Sequence, residues 1–184
     1  MTSSGYTLTD CRECRLWTGR ANIVNGTGPR GARIVFVGEA PGRDEDLAGE
    51  PFVGRAGRIL NEALEEAGVD RGAVYITHLV RCRPPENRRP RQDEVSACAG
   101  HLRRELASMD PVVVCAMGQT VAHSLFGTKN NMADVTGKEI PLEMGARRFR
   151  GIIAYHPAAC LYRRANLDSF RSTVRKSLRM AGMV

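Results

Sequence analysis

The sequence predicts an α/β fold: a single-domain, three-layer α/β/α sandwich with a mostly parallel central sheet, spanning residues 1–184. Three observations carry this expectation. Short apolar runs rich in β-branched residues alternate with longer segments whose apolar positions recur at helical spacing. That alternation implies parallel strands covered on both faces. A length of 184 residues, with 42% hydrophobic and 26% charged residues, is ordinary for one globular domain with a real core.

Taken in order, the chain opens with a polar segment, a Cys11–Cys14 pair, Trp17 and a Gly-rich link from Gly26 to Gly31. Residues 33–37 read as the first strand. From Arg55 to Gly68, the positions Ile59, Leu60, Ala63, Leu64 and Ala67 share a helical face, and Gly68 marks the stop. Residues 74–76 begin a second strand that extends towards Val80, and a Pro- and Arg-rich loop runs from Cys82 to Arg91. Val95, Cys98, Leu102 and Leu106 define the next helix. Pro111 opens a third apolar run to Met117, and Gly118 begins a short helix to Phe126. Residues 129–149 read as a loop followed by a short β element. A last strand follows at 150–155, and a basic helix at 166–180.

The segment with the most chemistry follows the first strand. It runs from Gly38 through Glu39, Ala40, Pro41, Gly42 and the acidic Asp44-Glu45-Asp46 to Pro51-Phe52-Val53-Gly54. It reads as one long loop before the helix at Arg55, whereas plain connections in such folds take about two to six residues. Its position past the carboxyl end of a strand is where ligands bind in open α/β sheets. No Lys stands in the turn and no helix starts at once, so a nucleotide-phosphate loop does not fit.

The formal net charge of +7, supplied mostly by Arg, suits a polyanion partner. No apolar run is long enough for a membrane span, and residues 1–10 lack the apolar core of a signal peptide. A cytoplasmic protein is therefore expected, with no membrane partner.

Six cysteines in such a chain are not expected to form disulfides. Cys115 lies inside an apolar run and reads as core, and Cys160 has no assigned role. Cys11, Cys14, Cys82 and Cys98 could hold zinc or an iron–sulfur cluster. With only one close pair among them, the spacing favours the cluster over zinc. Such a group would clip the N-terminal arm, residues 1–31, to the loop after the second strand.

His156 stands at the end of the last strand, its backbone held extended by Pro157. A neutral imidazole there could donate a hydrogen bond to an anion forming on a substrate. Leu161, Tyr162, Arg163 and Arg164 follow, an apolar wedge beside two cations, which suits insertion into a base stack with phosphate anchoring.

These residues resemble the family 4 uracil-DNA glycosylases. Gly38 to Gly42, Glu45-Asp46 and Pro51 to Gly54 are similar to the family's first motif. Cys82-Arg83-Pro84-Pro85 with Asn87-Arg88 resembles its second, and His156-Pro157-Ala158 its last. The four cysteines follow its [4Fe-4S] ligand pattern. The resemblance covers nearly the whole chain from Cys11 to Leu161. It implies hydrolysis of the N-glycosidic bond of uracil in DNA by a monofunctional DNA repair enzyme, a nucleoid-associated monomer that flips its base into a pocket. In that analogy the backbone of Glu39 and Ala40 lines the pocket, Phe52 stacks on the base and His156 bonds the base oxygen that gains charge. Arg88 joins Leu161, Tyr162, Arg163 and Arg164 as a DNA contact. The water-activating Asp of the best-known uracil-DNA glycosylases is matched here by Ala40, which leaves Glu45 and then Glu39 as candidate catalytic carboxylates.

One position departs from the family pattern. His78 stands where an Asn usually reads the Watson–Crick edge of uracil, and an imidazole cannot offer the amide's paired donor and acceptor. The expected outcomes are altered selectivity, towards other deaminated bases such as hypoxanthine or xanthine, or reduced activity on uracil. The competing reading is a catalytically weak or inactive DNA-binding, damage-sensing member of the same superfamily. The stretch from Cys82 to Cys98 has no His and no insertion, so the covalent DNA attachment of some relatives is not expected.

Overall fold

The structure is a computed structural model that describes residues 6–184; the first five residues of the expected arm lie outside the described residues. In chain order the elements are β1 (Ile34–Gly38), α1 (Arg43–Ala48), α2 (Arg55–Glu66), β2 (Tyr75–His78), α3 (Gln92–Met109), β3 (Val113–Met117), α4 (Gln119–Phe126), α5 (Met132–Val135), β4 (Glu139–Met144), β5 (Arg147–Ala154), α6 (Pro157–Cys160) and α7 (Arg164–Met180). The five strands form one sheet in the order β2-β1-β3-β5-β4. All neighbours are parallel except β4, which pairs antiparallel with β5 at the edge. Pro141 within β4 is tolerated there because an edge strand can spare a ladder donor.

Strand alternation builds the three layers. Ile34, Phe36, Cys115 and Ile152 point to one face and pack with α2 and α7 through Leu60, Leu64, Phe170 and Val174. Val35, Val37, Val114 and Ala116 point to the other and pack with α3 through Val95, Leu102 and Leu106. The strands are buried along both faces, as the unbroken apolar runs require. Burial lifts the Cys115 thiol well above its ordinary range, as expected of a core residue. Among the described residues, no helix is long and apolar enough to cross a membrane.

From β1 the chain passes through α2 to β2 on one side, then through α3 back across to β3 on the other. The connections after β1 and β3 therefore diverge, which opens a crevice at the carboxyl ends of the strands. The Gly38–Gly54 segment enters it but is not one long loop: α1 lies within it. Glu45 reaches back to accept from the Gly42 amide at 3.1 Å, three acidic residues occupy the first turn, and Gly49 ends the helix at φ 72°. Carboxylates at a helix N-terminus are favourable. A helix of six residues is too short to display a periodicity, which is why it read as loop.

A buried ionic network ties α3 to β2. Glu105 accepts from the Tyr75 hydroxyl at 2.8 Å and the Thr77 hydroxyl at 2.9 Å, and pairs with Arg81, which also bonds Thr77.

Candidate active site and cysteine centre

A cavity of about 420 Å³ opens at the carboxyl edge of the sheet. Its walls bring Glu39, Ala40, Glu45 and Phe52 of one segment together with the distant His78 and His156. The segment after β1, the end of β2, the loop following it and the turn after β5 each supply part of the wall.

Phe52 is buried, with its backbone in the left-handed region at φ 55°. Its ring stacks on the His78 imidazole at 4.9 Å between centroids and 8° between planes, and lies 6.2 Å from the ring of His156. Gly38 makes this stack possible. A Cβ there would stand 2.5 Å from the Phe52 ring and 3.0 Å from the imidazole of His78. Gly118, at φ 102°, leaves the same kind of space beside His156.

His156 caps α6. Its Nδ1 accepts a hydrogen bond from the Ala158 amide at 3.2 Å. An accepting Nδ1 carries no proton, so the neutral ring is protonated at Nε2. Burial pushes its pKa down, partly opposed by the negative charge of Glu39. The cavity is thus furnished with a neutral, oriented N–H donor.

His78 differs from His156 in having no such anchor. The ring is buried, and its Nδ1 is shut off from solvent with no hydrogen-bond partner. Burial, the nearby Arg81 guanidinium and His156 all hold its pKa well below the ordinary histidine range.

The two candidate carboxylates occupy different situations. Glu45 is buried and both oxygens are engaged, one by the Gly42 amide and the other by the Gly54 amide at 2.9 Å. It holds the wall of the pocket together. Glu39 also lines the cavity, and its charge is felt by His156. Ala40 places a methyl group at the neighbouring position.

Leu161, Tyr162, Arg163 and Arg164 sit together between α6 and the start of α7, with Tyr162 80% exposed. Arg88 lines the cavity but is not an unpaired cation. It makes a two-pronged contact with the fully buried Glu94 at 2.7 and 2.9 Å. That pairing holds the Glu94 carboxyl below its usual range. Asn87, quoted from the sequence as part of the second motif but given no role there, also lines the cavity, as does Arg89, which was not singled out from the sequence.

On the other side of β2, Cys11, Cys14, Cys82 and Cys98 line one small cavity with Arg20, Arg81 and His101. Burial pushes the Cys14 and Cys82 thiols up and raises Cys98 to about 11, and mutual repulsion among these sulfurs adds to each shift. Four converging cysteines, three of which have thiols that disfavour ionisation when bare, suit a positively charged metal centre that would neutralise them. The residues therefore fit a thiolate-ligated group. Two basic side chains face the sulfurs: Arg20 donates to Cys82 Sγ at 3.2 Å, and His101 Nε2 lies 3.5 Å from Cys11 Sγ. Arg104 donates to His101 Nδ1 at 2.8 Å, which leaves the proton on Nε2. His101 Nε2 thus faces Cys11 as a donor, with Glu13 Oε2 also 3.5 Å away. Neither Arg20 nor His101 was found from the sequence, because each reaches its cysteine only through the tertiary fold.

Comparison with known proteins agrees with this geometry. Residues 25–179 match the model of the uracil DNA glycosylase superfamily. The chain is 41% identical over 179 residues to a type-4 uracil-DNA glycosylase of Archaeoglobus fulgidus, covering 95% of this chain and 90% of that protein. It is 43% identical over 158 residues to the type-4 enzyme of Thermotoga maritima, covering 85% and 80%. To a type-5 uracil-DNA glycosylase of Thermus thermophilus it is 30% identical over 215 residues, covering 96% of each. The family match and the higher identity to type-4 relatives lead to one assignment: the chain belongs to the uracil DNA glycosylase superfamily, among its type-4 members.

Proposed function

We propose that the chain is a monofunctional uracil-DNA glycosylase that flips a deaminated nucleotide into the cavity and hydrolyses its N-glycosidic bond, leaving an abasic site. The observation that carries this reading is His156, a neutral donor with its proton fixed on Nε2 by the Ala158 amide, at the wall of a cavity that also holds an aromatic ring. As the bond to the sugar breaks, negative charge collects on the departing base and positive charge on the sugar. His156 donates to the base oxygen that becomes anionic, and Phe52 supplies the stacking face. Glu39 places its carboxylate where it favours the cationic sugar and orients water. It takes this role ahead of Glu45, whose oxygens are already bonded. The exposed Leu161 and Tyr162 fill the gap left by the flipped nucleotide, and Arg163 and Arg164 meet the phosphates. The enzyme works as a monomer on DNA in the cytoplasm, in association with the nucleoid.

A [4Fe-4S] cluster held by Cys11, Cys14, Cys82 and Cys98, rather than zinc, is the group that the cysteine centre takes in this reading. When bound it supplies a cross-link between the arm, residues 1–31, and the end of β2. Visible absorption and iron content of the purified protein separate cluster from zinc.

His78 sets which bases are accepted. With Nδ1 enclosed and unpartnered, Nε2 is the ring nitrogen left for the cavity. A buried N–H without a partner is rarer than a buried acceptor without one, which places the proton on Nε2. A base stacked on the same face of Phe52 as the imidazole lies beside that ring and in its plane, and there this in-plane donor meets the base edge. One donor reads one carbonyl oxygen, the group that deamination creates. Uracil, hypoxanthine and xanthine are therefore accepted over cytosine and adenine, with less discrimination among the three than an Asn would give.

The test is excision from single- and double-stranded oligonucleotides carrying each of these bases, scored by alkaline cleavage. The wild-type protein should release the deaminated bases, and His78→Asn should raise the preference for uracil over hypoxanthine by about tenfold, the worth of one added hydrogen bond. Equal rates for His78→Asn and wild type on all three would remove the role given to His78. No excision of any base would leave the DNA-binding, damage-sensing reading.

A further inference from the structure

Phe52 is held in a conformation that a non-glycine residue does not adopt unaided, with φ at 55°. Such residues persist where their surroundings over-determine them. Two restraints belong to the segment that carries it. Glu45 fixes the Gly54 amide two residues downstream at 2.9 Å. Gly57 leaves room for the Phe52 carbonyl, which would lie 1.8 Å from a Cβ at that position.

The third restraint comes from outside that segment. Arg71, in the connection between α2 and β2, donates from Nη2 to the Pro51 carbonyl at 2.6 Å, one residue upstream of Phe52. The same guanidinium donates from Nη1 to Asn61 Oδ1 on α2 at 2.8 Å. Its two arms therefore tie the start of the Phe52 turn to a helix that packs directly on the sheet. A planar fork with donors at fixed angles can span two such acceptors, and an ammonium on a flexible stem is a poor substitute. Arg71 is not part of the cavity wall. It reaches the stacking ring only through Pro51.

We infer that Arg71 is a positioning residue for the base-stacking ring: it locks the Pro51–Phe52 backbone in the left-handed turn that presents Phe52 to a flipped base. This rests on the reading of Phe52 as the stacking platform. Loss of the clamp lets the turn relax, and the ring then meets the base in a distribution of poses rather than one. A misplacement on the order of 1 Å at a reacting site costs up to about a hundredfold in rate.

The experiment is a double-mutant cycle on uracil excision from a single-stranded oligonucleotide under single-turnover conditions, with thermal unfolding followed in parallel. Phe52→Ala alone should slow excision strongly. Arg71→Ala alone should slow it about tenfold or more, with Arg71→Lys recovering only a small part. In the Phe52→Ala background, Arg71→Ala should add less than about twofold, because there is no ring left to position. Asn61→Ala, which removes only the anchor of the guanidinium, should give a milder loss that also vanishes without Phe52. It keeps the test open if Arg71→Ala does not fold. If Phe52→Ala excises uracil at the wild-type rate, the stacking reading falls, and the role of Arg71 with it. If Phe52→Ala is slow but Arg71→Ala and Asn61→Ala are normal, or their losses add fully to that of Phe52→Ala, the positioning role alone is overturned.

Discussion

His156 and His78 stand in one pocket and are held by opposite means. His156 has its tautomer set by a backbone amide, whereas His78 has a buried nitrogen that nothing satisfies. Both have depressed pKa values, chiefly through burial. In the proposed reaction a neutral imidazole is the working form of His156, and a lowered pKa keeps it neutral to lower pH than an ordinary histidine. Excision of uracil should therefore persist on acidification through pH 6.5, the ordinary histidine value, and fall only below it. Replacement by Ala should cost on the order of a hundredfold or more in the single-turnover rate and abolish that acidic limb. Stability runs the same way. The unfolded chain binds protons at these histidines that the folded chain does not, so stability is present above the unfolded pKa and is lost as pH falls below it. The identity of these side chains was legible in the sequence, but their state was not. The bond that fixes His156 comes from the turn of α6, and the pairing of Arg88 with Glu94 depends on how α3 starts. The sequence offered Arg88 as a DNA contact and gave no sign of its pairing with Glu94. Glu45 likewise looked available until the fold brought the Gly42 and Gly54 amides onto its oxygens.

At the scale of elements, the strands and long helices were readable because each carries an unbroken apolar run or a helical stripe. The short ones were not: α1 and α5 span six and four residues, less than two helical turns each. The antiparallel pairing of β4 was also hidden, since a single alternating edge strand does not declare its direction. The least legible feature is the tie between α3 and β2, where Glu105 gathers Tyr75, Thr77 and Arg81 in the core. Glu105→Gln leaves the Arg81 guanidinium buried without its counter-charge. It should cost about 3–5 kcal/mol, read as a lower urea midpoint with an unchanged slope.

Across the whole molecule, the four sulfurs come from the N-terminal arm, the loop after β2 and α3, so the proposed cluster would join parts of the chain that are distant in sequence. Stripping iron with an oxidant and a chelator should bleach the visible absorption. It should lower the melting temperature by several degrees, as expected for removal of a cross-link worth on the order of several kcal/mol. Limited proteolysis should then cut first in the arm before residue 31. The sequence could place the four cysteines as a set, because a thiol ligand set is visible as spacing. It could not show that Arg20 and His101 attend them.

The end of β2 serves both centres at once. His78 lines the cavity proposed to take the base and Cys82, four positions later, faces the cysteine centre, with Arg81 between them bonded into the core. This stretch has no slack. Lengthening it to enlarge the pocket would pull a sulfur away from its three companions, and shortening it would break the Arg81 pair. Variation in the bases that such a chain can accept is therefore channelled into exchange of the side chain at position 78 itself, which changes the wall without changing the length of the chain.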